Sequence, residues 1–280
     1  MLRRRWFQFS LMSLFCVMLV TGPFLGTWIY YVRERPIRAA RSIAILKEHK
    51  CFVNCEWVVE SGPLARWVGA VPMPHNCEVI AEGNRQLSDE DLRLIGNLEH
   101  VRKLSLEGTS VSDAGFRHLR GVRGLQRVLL DDTRIGDAGF SCLNLDEVEL
   151  LWAAKTLVTD DSVSKIARCK KLTWLRLPGT KITDRGLSEI GQIVQLEQLD
   201  ISNCQVTNQG IKHTGSLANL TDLVIDHTEI TDEGLEAFYR MPKISSIHAR
   251  GCKISHEAYE RLLRSKMESG GLFFQLHEEM

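Results

Sequence analysis

The sequence predicts an α/β solenoid in which a parallel sheet lines the concave face and helices form the convex face. One transmembrane helix and a small α+β cap should precede the repeats. Two observations lead to this prediction. A stretch of 27 residues, Trp6–Val32, contains no charged side chain. From Val101 onward, a strand-like pattern followed by a helix-like pattern recurs with a period of 24 residues, and a period of this size indicates stacked coils.

The composition is that of a globular protein and argues against a nucleic-acid partner. Hydrophobic residues make up 44% of the 280 residues and charged residues 25%, so a packed core is expected. The 35 basic residues balance the 35 acidic ones. The chain therefore has no net positive charge that would attract nucleic acid or acidic substrates.

The uncharged stretch is long enough to anchor the chain in a membrane. As a helix rising about 1.5 Å per residue, it would extend roughly 40 Å, more than the bilayer core of about 30 Å. Aromatic residues, which favour the headgroup region, lie near its ends: Trp6, Trp28, Tyr30 and Tyr31. The alternative is a cleaved signal peptide, whose apolar region would be only about 7–15 residues long. We therefore predict a basic tail over residues 1–5 and an uncleaved span over residues 6–32.

The side of the membrane on which the repeats lie stays open. Five basic residues follow the span closely, against three arginines before it, and counted literally they place the repeats in the cytoplasm. The triple arginine at the start of the span is instead typical of an anchor whose N-terminus is inside.

A small cap is predicted over residues 33–77, between the span and the repeats. Pro36 can start a helix, and an amphipathic pattern continues to about Lys50, followed by a strand over Cys51–Val59 and a short helical turn over Leu64–Val71. A solenoid must cover its first coil; a separate domain is the alternative. A disulfide among Cys51, Cys55 and Cys77 is expected only if this part is extracytoplasmic.

The repeats are predicted over residues 78–265, as seven clear copies and one degenerate copy around Leu87–Leu92, with a C-terminal tail over residues 266–280. In each copy, two apolar residues at strand spacing precede a helical pattern. The clear copies begin at Leu104, Val128, Val148, Leu175, Leu199, Leu223 and Ile247. The copy at Val148 is irregular. With Val148 and Leu150 as its inward apolar pair, the spacing predicts a shortened helix-to-strand return and extra residues over Trp152–Lys155.

Three polar or small positions recur in the copies and have structural explanations. Aspartates such as Asp113 and Asp184 are predicted to be helix N-caps, and the glycines two residues later should allow close packing. The position of Thr109 is Cys204 and Cys252 in two copies, where we expect buried, unpaired thiols. These patterns predict neither a cofactor site nor a metal site.

The copies resemble leucine-rich repeats, close to the cysteine-containing subclass with its Leu-x-Leu-x-x-Cys and Ile-Thr-Asp-x-Gly-Leu elements. The arginine-flanked span joined to such repeats is similar to that of bacterial membrane-anchored leucine-rich repeat proteins. The resemblance covers about 180 residues and implies a bacterial cell-membrane location and protein interaction, without naming a partner.

Recognition is predicted on the concave face, where the strand residues flanking the inward apolar pair are exposed. Trp174 should be central, because exposed aromatic residues often anchor interfaces. The candidate protein-binding residues are Trp174, Leu151, Leu129, Arg176, Glu107, Asp131, Asp222 and Val224. We expect no enzyme, because no nucleophile and base are arranged for catalysis. A structural envelope protein whose repeats act as spacers or self-associate is the alternative, and the oligomeric state stays open.

Overall fold

Nine strands form one continuous sheet in chain order in the computed structural model, which describes residues 27, 30–58 and 72–268. β1 and β2 are antiparallel, whereas each later strand is parallel to the one before it. The strands are β1 Phe52–Val58, β2 Met73–Ile80, β3 Val101–Ser105, β4 Arg127–Leu129, β5 Leu150–Trp152, β6 Trp174–Arg176, β7 Gln198–Asp200, β8 Asp222–Val224 and β9 Ser246–His248.

Helices form the opposite side of the coils, and all of them except α1, which precedes β1, come after a strand of the parallel part of the sheet. They are α1 Arg35–Glu48, α2 Leu92–Gly96, α3 Asp113–Phe116, α4 Asp137–Phe140, α5 Asp160–Ile166, α6 Asp184–Ile190, α7 Asn208–Ile211, α8 Glu236–Tyr239 and α9 His256–Glu268. A π-helical segment, Tyr30–Glu34, precedes α1, and 3₁₀ segments occupy Arg117–Leu119, Lys212–Ser216 and Asp232–Leu235. This alternation of strand and helix gives the predicted solenoid.

The core is a continuous apolar column inside the coils. In the coil of β3, Leu104, Leu106, Val111 and Phe116 all have an exposed fraction of 0%. Their counterparts in the following coils are buried in the same way. One coil is too small to enclose such residues, so each coil depends on its neighbours for burial.

The strand register predicted for the irregular copy was wrong. Leu151 pairs with Val128 and Leu175 and is fully buried, while Leu150 and Trp152 face the concave side. The step from Val128 to Leu151 is 23 residues, one fewer than the 24 between the other paired strand centres from β3 to β9, and the predicted extra residues over Trp152–Lys155 do not exist. The prediction took Val148 and Leu150 as the inward pair, whereas the structure buries Leu151 and Ala153 in that role, three residues later. The spacing from Leu151 to the buried Thr156 equals that from Val128 to Thr133, and this match identifies the correct register.

The aspartates are not the N-caps. Ser112, Thr159, Thr183 and Thr207 take that position, and each side chain accepts a hydrogen bond from the backbone two residues later. The aspartate that follows the cap instead reaches the next coil. Asp184 accepts hydrogen bonds from the backbone N–H of Thr207 at 2.8 Å and from its hydroxyl at 2.7 Å.

The same inter-coil bond recurs along the solenoid, and we call it the Asp ladder. Its acceptors are Asp89, Asp113, Asp137, Asp160, Asp184, Asn208 and Asp232, and their partners are Ser112, Gly136, Thr159, Thr183, Thr207, Thr231 and Ser255. The recurring glycines make room for it. A Cβ atom on Gly115 would lie 2.6 Å from a carboxylate oxygen of Asp89, and one on Gly139 would lie 2.5 Å from that of Asp113.

A second polar row lies inside the coils. Thr109, Thr133 and Thr180 donate to the carbonyl oxygen three residues earlier at 2.6–2.7 Å. Cys204 takes this position as a buried thiol 3.3 Å from the Leu177 carbonyl oxygen, and Cys252 as a half-buried thiol. These bonds satisfy carbonyl groups that the turn would otherwise leave unpaired inside the core.

The first coil is covered by α1 and the β1–β2 hairpin. Ala39, Ile43 and Leu46 of α1 are buried against it, and a disulfide joins Cys55 of β1 to Cys77 of β2. Most of the predicted span, residues 6–32, and the predicted turn over residues 64–71 lie outside the described residues. Within the described residues, no helix has both the length and the apolar character needed to cross a membrane.

Asp184→Ala should lower the free energy of unfolding by about 2 kcal/mol, because two hydrogen bonds to a charged acceptor are lost. Asp184→Asn should cost less than half as much, since Asn208 makes the equivalent bond in the next coil at 2.9 Å. Urea unfolding of both variants measures the difference. Equal losses for Ala and Asn would show that the geometry of the ladder is not what stabilises the fold.

Candidate functional site

The concave face of β3–β9 carries three rows of side chains. Each of these strands contributes one residue to the first row and one to the second, and the residue for the third row comes just after the strand. The first row is Lys103, Arg127, Leu150, Trp174, Gln198, Asp222 and Ser246. The second row is Ser105, Leu129, Trp152, Arg176, Asp200, Val224 and His248. The third row, two residues further along each strand, is Glu107, Asp131, Ala154, Pro178, Ser202, Asp226 and Arg250.

Two tryptophans form the centre of this face. The Trp152 and Trp174 rings lie 5.1 Å apart between centroids and are tilted by 70°, an edge-to-face arrangement. Both are half-buried. Leu150 lies beside Trp174, and Leu129 lies beside Trp152. We call these four residues the apolar patch.

Arg176 is fixed at the border of the apolar patch. Its Nη1 forms an ion pair with Asp131, and its Nε lies 3.3 Å from Asp200. The guanidinium carbon lies 5.4 Å from the centroid of the Trp152 ring, within cation–π range. Trp152 is therefore held between Trp174 and Arg176. Its indole Nε1 is buried and has no hydrogen-bond acceptor among the described residues.

Carboxylates crowd the third row near β3. Burial raises the pKa of Glu107, and the neighbouring charges of Asp131 and Glu82 raise it further. Burial also raises the pKa of Asp131, although the hydrogen bond from Ala154 and the charge of Arg176 oppose this. Glu107 and Asp131 are therefore neighbours in this row, and the ion pair with Arg176 partly offsets the charge of Asp131.

The β8 end of the face is acidic. Asp222 is half-buried and accepts a hydrogen bond from the Thr221 hydroxyl at 2.6 Å. Val224 lines a groove of about 570 Å³ together with Arg176, Asp200 and Asp226. Within the part of the chain that the structure describes, no three His, Cys, Asp or Glu side chains are grouped as metal ligands.

Seven of the eight candidate residues lie on the concave face, and Leu151 does not. It belongs to the core, because the inward pair of β5 begins at Leu151, three residues later than the predicted start at Val148. Leu150 and Trp152 take the exposed positions, and both were missed. The position of Thr156 in the buried threonine row was the signal that could have revealed them.

Comparison with known proteins agrees with this architecture. Residues 196–212 and 216–238 match the family model described as leucine-rich repeat. An internalin (inlF) from Listeria monocytogenes superposes with a TM-score of 0.54 at 18% identity, over 67% of this chain and 51% of that one. Internalin C2 (inlC2) from the same organism gives 0.52 at 18% identity, over 71% of this chain and 80% of that one. The described repeats have the fold of these internalins, and part of the chain matches the leucine-rich repeat model.

These similarities concern only the fold of the repeats. The chain spans about half the length of the first internalin, and no curated protein matches its sequence significantly.

Glu107→Gln should raise the free energy of unfolding at pH 7. The pKa of Glu107 is raised in the folded state, so its carboxylate is less favourable there than in the unfolded chain. As the pH falls through this raised pKa, the folded state binds the proton, and the advantage of the variant should shrink towards about pH 4. Urea unfolding at both pH values measures this.

The exposed Glu236 on α8 provides the control, and Glu236→Gln should change stability little at either pH. A destabilised Glu107→Gln protein at pH 7 would contradict the assignment of the Glu107 carboxylate as an unfavourable buried charge.

Proposed function

We propose that the chain is a membrane-tethered interaction module that binds a protein or peptide on the concave face of its repeats. The Trp152–Trp174 pair is the observation that carries the proposal. Large aromatic residues at the centre of a surface commonly supply most of the binding energy of an interface. β5 and β6 lie in the middle of the described sheet, where a partner can contact coils on both sides.

The apolar patch is pre-organised for binding. Trp152 is held by the Trp174 edge and the Arg176 guanidinium, and Arg176 is itself held by two carboxylates. Side chains that are already ordered lose little conformational freedom when a partner binds, so more of the contact energy appears as affinity. Binding also needs no chemical step, which agrees with the expectation of a non-enzymatic protein.

Self-association as a structural element is the second candidate. Phe52, Trp57 and Val58 of β1 are 50–60% exposed, at the edge of the described sheet. Strand edges with exposed apolar side chains can pair with another chain. This candidate depends on β1, whereas the proposed function depends on β5 and β6, so separate variants test them.

We infer that the repeats lie on the extracytoplasmic side of a bacterial cell membrane, anchored by residues 6–32. The Cys55–Cys77 disulfide supports this side, because disulfides persist in oxidising compartments and are rare in the cytosol. The three arginines before the uncharged stretch are consistent with an N-terminus that stays inside.

The full-length chain should remain in the membrane fraction after a carbonate wash, and deletion of residues 1–32 should release it. Without prior reduction, Cys55 and Cys77 should resist alkylation in intact cells. A mature N-terminus beyond Gly26 would contradict the anchor, whereas alkylation of both thiols without reduction would contradict the proposed side.

Trp174→Ala should weaken partner binding about thirtyfold, corresponding to about 2 kcal/mol for a central interface aromatic. A photo-crosslinking side chain at Gln198, beside Trp174 on the concave face, should capture the partner in native membranes. The same side chain at Glu236 on the convex side should not.

Trp57→Ala is the matched control, since it removes an exposed tryptophan from the β1 edge. It should leave capture at Gln198 unchanged. If Trp57→Ala abolishes association and Trp174→Ala only lowers the melting temperature, self-association is the correct function and the concave face is structural.

A further inference from the structure

Charge changes sign along the first row of the concave face. Lys103 and Arg127 occupy it on β3 and β4, Leu150 and Trp174 on β5 and β6, and Asp222 on β8. Gln198 on β7 is neutral. A partner that crosses the strands over this row therefore meets positive charge, then an apolar surface, and then negative charge.

At the β3–β4 end of this row, one carboxylate, Glu78 on β2, lies among three cations, Arg102, Lys103 and Arg127, so this group keeps a net positive charge. Arg127 is exposed, with Nη2 3.5 Å from Glu78, while Arg102 lies closer to the same carboxylate at 2.6 Å. Lys103 and Asp222 form no ion pair within the described residues. Arg176 in the second row is different, because Asp131 and Asp200 both hold it.

The second row limits the width of the partner. A helix about 10 Å across would cover the second row as well as the first. It would then remove water from the Arg176 ion pairs without offering them new bonds, which costs free energy. An extended chain can follow the first row alone and leave those ion pairs hydrated.

Strand spacing sets the length of such a chain. Neighbouring strands lie about 4.8 Å apart, so Arg127 on β4 and Asp222 on β8 are separated by roughly 19 Å. An extended peptide advances about 3.3 Å per residue, and about six residues cover this distance. Trp174 on β6 lies halfway.

We propose that the partner presents an extended segment of about six residues with an acidic side chain at one end, an apolar one in the middle and a basic one at the other. The acidic end meets Lys103 and Arg127, the apolar side chain packs on Trp174 and Leu150, and the basic end meets Asp222. This inference rests on the proposed concave-face function and adds the chemistry and direction of the partner.

Four fluorescent peptides, blocked at both ends, test the charge order. The mixed probe is Asp-Asp-Ser-Phe-Ser-Lys-Lys, and the acidic, basic and neutral probes replace both end pairs by Asp, Lys or Asn. Anisotropy titrations with the full chain in detergent micelles should give the tightest binding for the mixed probe. Each mismatched end should weaken binding about fivefold, the upper value for an exposed charge pair.

Charge reversal of the protein should redirect this preference. Asp222→Lys should favour the acidic probe, and Arg127→Glu should favour the basic probe. Glu236→Lys on α8 is the control and should leave the order of the four affinities unchanged. Circular dichroism of each variant checks that a loss of binding does not reflect unfolding.

The outcomes separate this inference from the proposed function. If all four probes bind equally and Trp174→Ala abolishes their binding, the concave site is correct and the charge order is wrong. A preference that Asp222→Lys and Arg127→Glu leave unchanged also overturns the charge order. If no probe binds up to about 1 mM, the inference is wrong, and crosslinking at Gln198 decides the concave face independently.

Discussion

The hydrogen bond from the Asp ladder to the next coil is the constraint on which the solenoid depends. Strand pairing alone fixes neighbouring coils on the concave side. The ladder joins neighbouring coils a second time, at the point where each coil passes from its strand to its helix. Asp184 and Thr207 are one such pair. This contact also requires the recurring glycines, because a side chain at Gly139 would occupy the space of the Asp113 carboxylate. The recurring position of each coil relative to the next therefore depends on these contacts between coils.

This explains which parts of the structure the sequence could predict. The period of 24 residues predicted strands, helices and a stacked core, because any coil that buries apolar residues at those positions must stack. The role of Asp184 was misassigned, because one copy viewed alone shows a polar residue at a helix start and gives no sign of the neighbouring coil. Leu151 was misassigned because Val148 and Leu150 also have the spacing of an inward pair, and only the threonine row distinguishes the two registers.

Lateral contacts were harder to predict for the same reason. Arg176 reaches Asp131 two strands away, and this pairing requires the correct register of β5 between them. The disulfide likewise depends on the register of the β1–β2 hairpin. Three cysteines allow three pairings, and the hairpin brings Cys55 close to Cys77 while Cys51 stays in the core. Sequence spacing identifies the charged residues and cysteines that could pair, but the strand register decides which of them come into contact.

One unfavourable local feature lies in the coil of β5. The buried indole N–H of Trp152 lacks an acceptor among the described residues, which costs about 1–3 kcal/mol. The left-handed backbone of Lys155, with φ 52°, is general to the repeat, because Asp132, Asn203 and His227 adopt it in other coils. The indole is different, since a leucine in place of Trp152, as β4 has Leu129, would avoid its cost. Tolerated costs of this kind tend to occur at functional sites. The location of this one within the apolar patch is a reason, independent of the exposure of Trp174, to assign recognition to this coil.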